Sequence, residues 1–180
     1  MDLLGNYQML MMLLGTVGEI HGRKKLQKMV YLLQEAGCPF KEEFDYHLFG
    51  PYSEELATKV DEMKFLGLLD EKPGATVSGY TQYIYSLSAA AKQYIKEHED
   101  SFRLPLHFQQ LAKELARYDA RTLELMATLR FLKKMNYSDA EAAECVKRLK
   151  PDQEYKDDEI EKSLDFLNRL TSTGSREDVT

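Results

Sequence analysis

The apolar positions change period along the chain, and each change marks an element. Leu10, Leu13, Leu14 and Val17 fall at helical spacing and predict a first helix over 6–18. Ile20, His21 and Gly22 interrupt it. From about Arg23 to Ala36 the stripe Leu26, Met29, Val30 and Leu33 predicts a second, amphipathic helix. Gly37 is placed to cap this helix and Pro39 prevents its continuation. The run Phe44 to Phe49 alternates weakly and is rich in aromatics, which predicts one short strand ended by Gly50 and Pro51. Pro51 and Ser53, followed by Glu54 and Glu55, read as the start of a third helix, with acids near the positive end of its dipole. Leu56, Val60 and Met63 share one face of that helix, which ends near Leu66 and Gly67.

Beyond it, Leu68 to Lys72 and Thr81 to Tyr85 read as two strands joined by the turn residues Pro73 to Gly79. Ser86 to Ser88 then opens a fourth helix with Ala91, Tyr94 and Ile95 on its inner side. Three helices, a hairpin and a closing helix describe a winged helix-turn-helix, and the stretch from Gly67 to Ile95 resembles the hairpin and exit helix of winged-helix regulators. From residue 99 the pattern is wholly helical. Phe108, Leu111 and Leu115 form one stripe, and Leu125, Met126, Leu129 and Leu132 another. Ser138 and Glu141 have capping-box spacing, Pro151 stops the helix they start, and Ile160, Leu164, Leu167 and Leu170 face inward from a last one. The expected fold is mainly α with a small β-hairpin: a winged-helix domain over 1–98, a helical extension over 99–170 packed on it or forming a dimer, and a disordered polar tail over 171–180. No repeat of fixed period occurs.

Composition narrows the function. Hydrophobic residues make up 43% and charged residues 30% of the 180 residues, enough for a buried core, and with no Trp that core rests on Leu, Met, Tyr and Phe. Lys and Arg number 24 against 30 acids, a net charge of -6, whereas duplex-binding proteins usually carry a basic excess that displaces counterions. Cys38 and Cys145 stand far apart, which suggests a reducing compartment rather than a disulfide framework. The apolar run Met9 to Leu14 is too short to span a bilayer and lacks the flanks of a signal peptide, so it reads as a core helix of a cytoplasmic protein.

Four stretches carry a family resemblance: Gly22 to Leu32 with its Lys25-Leu26-Gln27-Lys28 core, Phe49 to Leu56 with Gly50-Pro51-Tyr52-Ser53, and, in the ending, Lys147 to Pro151 and Glu159 to Leu167. Together they resemble the YwgA-type proteins of prokaryotes, from about Tyr7 to Leu170. More distantly the same order is similar to the Panacea (SocA-like) domain, associated with antitoxins and proteolytic adaptors. The resemblance implies a prokaryotic, non-enzymatic binding module and names no partner.

Arg23, Lys24, Lys25 and Lys28 form the densest basic cluster. Lys24, Lys28 and Tyr31 share a helix face opposite the apolar stripe, with Gln27 beside them, and such a face can hold phosphates or an acidic partner. A solvated helix face explains the same residues. Phe44, Tyr46, Phe49, Tyr52, Tyr83 and Tyr85 read either as an aromatic groove for a partner or as core packing, with Tyr52 the best placed for exposure. The third helix carries Glu54, Glu55, Asp61 and Glu62 against Lys59 and Lys64, and the hairpin tip has no base, which argues against ordinary major-groove reading. Cys38 and His47 lack a third group for nucleophilic catalysis, and His21, His47, His98 and His107 lack metal-ligand spacing. No phosphate loop or nucleophile elbow occurs. The expectation is therefore a binding protein and not an enzyme, without cofactor or metal. Its contacts run through Arg23, Lys24, Gln27, Lys28, Tyr31 and Tyr52. A protein partner is favoured, acting in an antitoxin-like or adaptor role, and a DNA-binding transcription regulator and a homodimer are the alternatives.

Overall fold

The structure is a computed structural model that describes residues 4–174, with side chains as far as Leu170. Helix α1 (Gln8–Val17) buries Leu10, Met11, Leu13 and Leu14 and leads into a three-residue strand, β1 (Glu19–His21). Helix α2 (Arg23–Glu35) ends as expected: Gly37 has φ +92°, and the N–H of Cys38 reaches back to the carbonyl of Leu33 at 3.0 Å, a left-handed cap that only Gly adopts without strain.

The aromatic run that predicted one strand is half of a hairpin. Strand β2 (Asp45–His47) turns through Leu48 and Phe49 into β3 (Gly50–Tyr52), pairing Tyr46 with Pro51 and His47 with Gly50. Gly50 and Pro51, expected to end a strand, form the returning one. Helix α3 (Glu54–Phe65) follows at once, capped by Ser53, whose Oγ accepts from the Leu56 N–H at 3.1 Å.

Strands β4 (Leu69–Ala75) and β5 (Thr81–Leu87) form the expected hairpin but run longer than expected, with Pro73 and Gly74 inside β4 and the turn confined to 76–80. The sheet order β1-β5-β4 puts β4 at an edge, where a proline's missing N–H need cost no ladder bond. Helix α4 (Ala89–Glu97), capped by Ser88, packs on α1.

The remaining helices are α5 (Leu106–Ala116), α6 (Ala120–Lys134), α7 (Asp139–Leu149) and α8 (Asp157–Gly174). Ser138 and Glu141 form the predicted capping box reciprocally, at 3.2 and 2.8 Å. The molecule is thus mainly helical, with eight α-helices and two small antiparallel sheets, of three and two strands, among the described residues. α5 lies against α1, α6 along α2, and α7 and α8 against α6, so one continuous core runs from Leu10 to Leu167. Every residue from Leu26 to Leu33 is buried: α2 is enclosed by β1, the β2–β3 hairpin, α5 and α6. In the tail expected to be disordered, the backbone of 171–174 continues α8, and 175–180 lies outside the described residues.

Candidate functional site

Enclosure of α2 decides the fate of the basic face. Of the six residues expected to meet a partner, Gln27, Lys28 and Tyr31 are buried, at 1%, 1% and 2% exposure. They reach the interior because the face opposite the Leu26 stripe is covered by β3 and α6 rather than by water.

Gln27 holds the Ser53 peptide from both sides. Its Nε2 donates to the Ser53 carbonyl at 2.8 Å and its Oε1 accepts from the Ser53 N–H at 2.9 Å. Lys28 Nζ donates to the Pro51 carbonyl at 2.5 Å. The two sequence phrases that suggested a family, one on α2 and one on β3, are therefore a single interior clasp that fixes where α3 begins. Gly50 is required at its centre. Its φ is +82°, and a Cβ there would lie 2.9 Å from Thr128 Oγ1 on α6 and 3.7 Å from the Lys28 stem.

Around Gly50 two lysines pair with one carboxylate and a third, Lys28, stands close by. Glu124 of α6, 1% exposed, accepts from Lys24 at 3.0 Å and from Lys150 at 2.8 Å, and Lys150 also donates to the Leu48 carbonyl. Burial alone would raise the Glu124 carboxyl, but the hydrogen bonds from Lys150 and Lys24 outweigh it and hold the group below the usual carboxylate range. Burial pushes Lys28 down to about 8, opposed by Glu124 and aided by repulsion from Lys150 and Lys24. Above the cluster sits the β2–β3 turn, with Leu48 79% and Phe49 52% exposed, and the Phe49 ring lies 4.2 Å from Lys24 Nζ. Below it, the buried Tyr46 hydroxyl faces Thr128, and neither Tyr46 Oη nor Thr128 Oγ1 has a hydrogen-bond partner other than the other among the described residues.

The other expected residues are scattered. Arg23 reaches Asp61 at 3.0 Å and Tyr85 at 3.4 Å, at the edge of α3 and the sheet. Tyr31 stands edge-on to Phe44 at 5.1 Å, and burial raises its hydroxyl. Tyr52 is half-buried against His47, with ring centroids 5.2 Å apart. No single aromatic groove forms: Tyr85 is buried, Tyr46 packs on Phe131 at 5.3 Å, and Phe49 and Tyr83 face solvent on different hairpins. Burial pushes the Cys38 thiol up to about 12, the opposite of an activated nucleophile.

Sequence reasoning missed Glu124, Thr128 and Lys150. The first two offered a signal, a carboxylate and a hydroxyl four residues apart inside the otherwise apolar run Leu123 to Leu129. Lys150 offered none, being one lysine among several before Pro151.

A second surface is formed by α3. Its exposed side presents Glu54, Glu55, Asp61 and Glu62, then Phe65 at 91% and Leu66 at 55% exposure. The bases nearby are drawn into pairs: Lys59 with Glu42 and Glu55 at 2.9 and 3.1 Å, and Lys64 with Glu71 at 2.7 Å.

The fold and these two surfaces define a mainly helical protein that, among its described residues, has no helix long and apolar enough to cross a membrane and no group of three His, Cys, Asp or Glu placed to hold a metal ion. The chain belongs to the YwgA family: it is 34% identical over 171 residues to the uncharacterised protein YwgA of Bacillus subtilis, covering 93% of this chain and 98% of that one. A shorter stretch of 44 residues, 24% of this chain, is 50% identical to part of a DNA ADP-ribosyl glycohydrolase of Thermus aquaticus and makes up 12% of that enzyme. No model of a known protein family matches the chain.

Proposed function

We propose that the protein is a winged-helix binding module that acts without catalysis through contacts with a protein partner, as a regulator or adaptor in the antitoxin-like manner of a prokaryotic defence or stress system. The order α1, β1, α2, α3, β4, β5, with β1 completing the sheet of the hairpin, supports the winged-helix reading. The observation that carries the choice of partner is the exposed side of α3. In a winged helix this element would enter the major groove, but here it offers Glu54, Glu55, Asp61 and Glu62, which repel phosphates, and ends in a bare Phe65. A large aromatic beside charges is the composition of a protein-binding hot spot, where ring burial supplies affinity and the acids select a basic counterpart. The stretch shared with a much longer enzyme supports the view of a small module that works beside other parts.

A labelled random duplex titrated by fluorescence anisotropy over a salt series tests the choice. The reading expects no binding even at low salt. Binding that weakens steeply with salt would replace it with a DNA-binding regulator, working through Arg23, Lys24 and a dimer. A photo-crosslinking residue at Phe65, introduced in cells, supplies the positive arm. The expected adduct is with a second protein and disappears when Glu54 and Glu55 are changed to Lys.

A further inference from the structure

The lysine cluster is not used by the reading above, and its chemistry points elsewhere. Two ammonium groups, Lys24 and Lys150, pair with one carboxylate, Glu124, and a third, Lys28, stands near enough to feel its charge, in a protein whose acids outnumber its bases. Uncompensated charge in an interior is costly, so the one positive charge left over between the buried Lys28 and Lys150 and the single carboxylate needs an explanation, and the partly exposed Lys24 adds a second at the edge. Donors are also in excess. A lysine carries three N–H groups, and Lys28 places one on Pro51. The hydroxyls of Thr128, itself fully buried, and of Tyr46 face each other with no other partner among the described residues, so a bond between them still leaves one O–H free to donate. Surplus cations together with an unused hydroxyl donor are the complement of a tetrahedral oxyanion.

We propose that Lys24, Lys28 and Lys150, with Thr128 and Tyr46, form a binding site for a phosphate group, reached along Lys24 beneath the Phe49 ring. A phosphate carries close to two negative charges at neutral pH, which matches the surplus. Lys24 is the way in, with its side chain 36% exposed. The cover over the buried members is the β2–β3 hairpin, whose Gly50 and Pro51 pack on Thr128 and Lys28 while the side chains of its tip, Leu48 and Phe49, stand in solvent, so entry displaces this hairpin. Glu124 acts inside the site as a fixed competitor: it holds two of the lysines in place, and it limits affinity by repelling the same ligand. The groups facing Lys28 are Glu124, Lys150 and Lys24, so phosphate binding favours its protonated form and weakens above the pH of about 8 at which Lys28 releases its proton.

Isothermal titration calorimetry with inorganic phosphate, at an ionic strength held constant with chloride, is the test. Saturable binding of one phosphate per chain is expected. Lys24→Ala, a partly exposed change that leaves the fold intact, weakens it about tenfold or more. Glu124→Gln, which removes the internal competitor, tightens it severalfold, an outcome that a purely structural cluster would not produce; where that variant does not fold, Lys24→Ala decides alone. Phenyl phosphate distinguishes the source of the group. Tighter binding than inorganic phosphate, lost in Phe49→Ala, identifies a phosphate carried on a larger molecule, whereas equal binding identifies the free ion. Phosphate indistinguishable from chloride, or binding unchanged in Lys24→Ala, overturns the proposal. Neither outcome bears on the α3 surface.

Discussion

Lys28 shows what burial does to a single charge. Its ammonium is inside the protein with a carbonyl as its direct partner, and its pKa falls to about 8 from an ordinary 10.5. Between those values the unfolded chain still holds a proton that the folded protein has released. The contribution of this group to stability therefore rises as pH increases through the window. Beyond about pH 10 the buried Tyr31 and Tyr155, held protonated by desolvation, act in the opposite sense. Urea unfolding between pH 8 and about 9.5 should show a gain of roughly 1–2 kcal/mol from Lys28. Lys28→Met should abolish that gain; a gain that persists in Lys28→Met would assign it to another group. Gly50 is constrained from two directions, by a left-handed φ and by the closeness of Thr128. Gly50→Ala should cost about 2–4 kcal/mol. Thr128→Ala in the same chain should restore part of that loss, because it removes the 2.9 Å clash while the backbone strain stays. A denaturant double-mutant cycle reads the difference, and strict additivity would mean that the two residues do not meet.

At the scale of elements, the same motif has different value according to what surrounds it. Ser53 and Ser138 both cap a helix by accepting an N–H bond, but Ser53 is fully buried and clasped by Gln27 while Ser138 is exposed. Ser138→Ala should cost about 1 kcal/mol, since water replaces the lost acceptor. Ser53→Ala should cost roughly 2–3 kcal/mol, because the Leu56 N–H is left unpaired in the interior. Equal unfolding midpoints for the two variants would contradict this ordering. Elements with a local cause were legible in the sequence. The stripe Leu26, Met29, Val30 and Leu33, the Gly37 cap, the capping box and the β4–β5 hairpin are written in spacing and turn residues, and the structure contains them. Strand β1 and the pairing of Gly50-Pro51-Tyr52 with β2 were not legible. Three-residue strands carry no period, and a glycine-proline pair reads as a break unless a partner strand is known. The site residues failed for a related reason. Charge on one side of a helix signals solvent only if nothing packs there, and periodicity cannot report that α6, about a hundred residues later, covers Lys24 and Lys28.

That covering raises the question of whether the whole molecule is one folding unit or a winged helix with an added bundle. The hydrophobic pattern suggested a boundary at residue 98, and a domain ending there would expose the Lys24, Lys28 and Tyr31 face of α2. In the structure α6 lies along that face, joined to α2 by the Lys24–Glu124 pair and by Glu35 with Arg130 and Lys134 at 2.9 and 2.8 Å. α5 meanwhile lays Phe108, Leu111 and Leu115 into the core shared with α1. Removal of 99–180 would return three polar groups to water at little cost, but it would also strip the apolar side of α1 and the ends of α2. At roughly 25 cal/mol per Å² of apolar surface, exposing even a few leucines uses up the margin of a small domain. The full chain should therefore unfold in one cooperative step, with calorimetric and van't Hoff enthalpies in agreement. The fragment 1–98 should keep helical circular dichroism but bind a hydrophobic dye and lack dispersed amide resonances. Two separate transitions in the full chain, together with a well-dispersed 1–98 fragment, would instead mean that the winged-helix part folds alone. Lys28 would then titrate closer to its ordinary value in that fragment, because α6 shares with β3 the burial that takes it out of water.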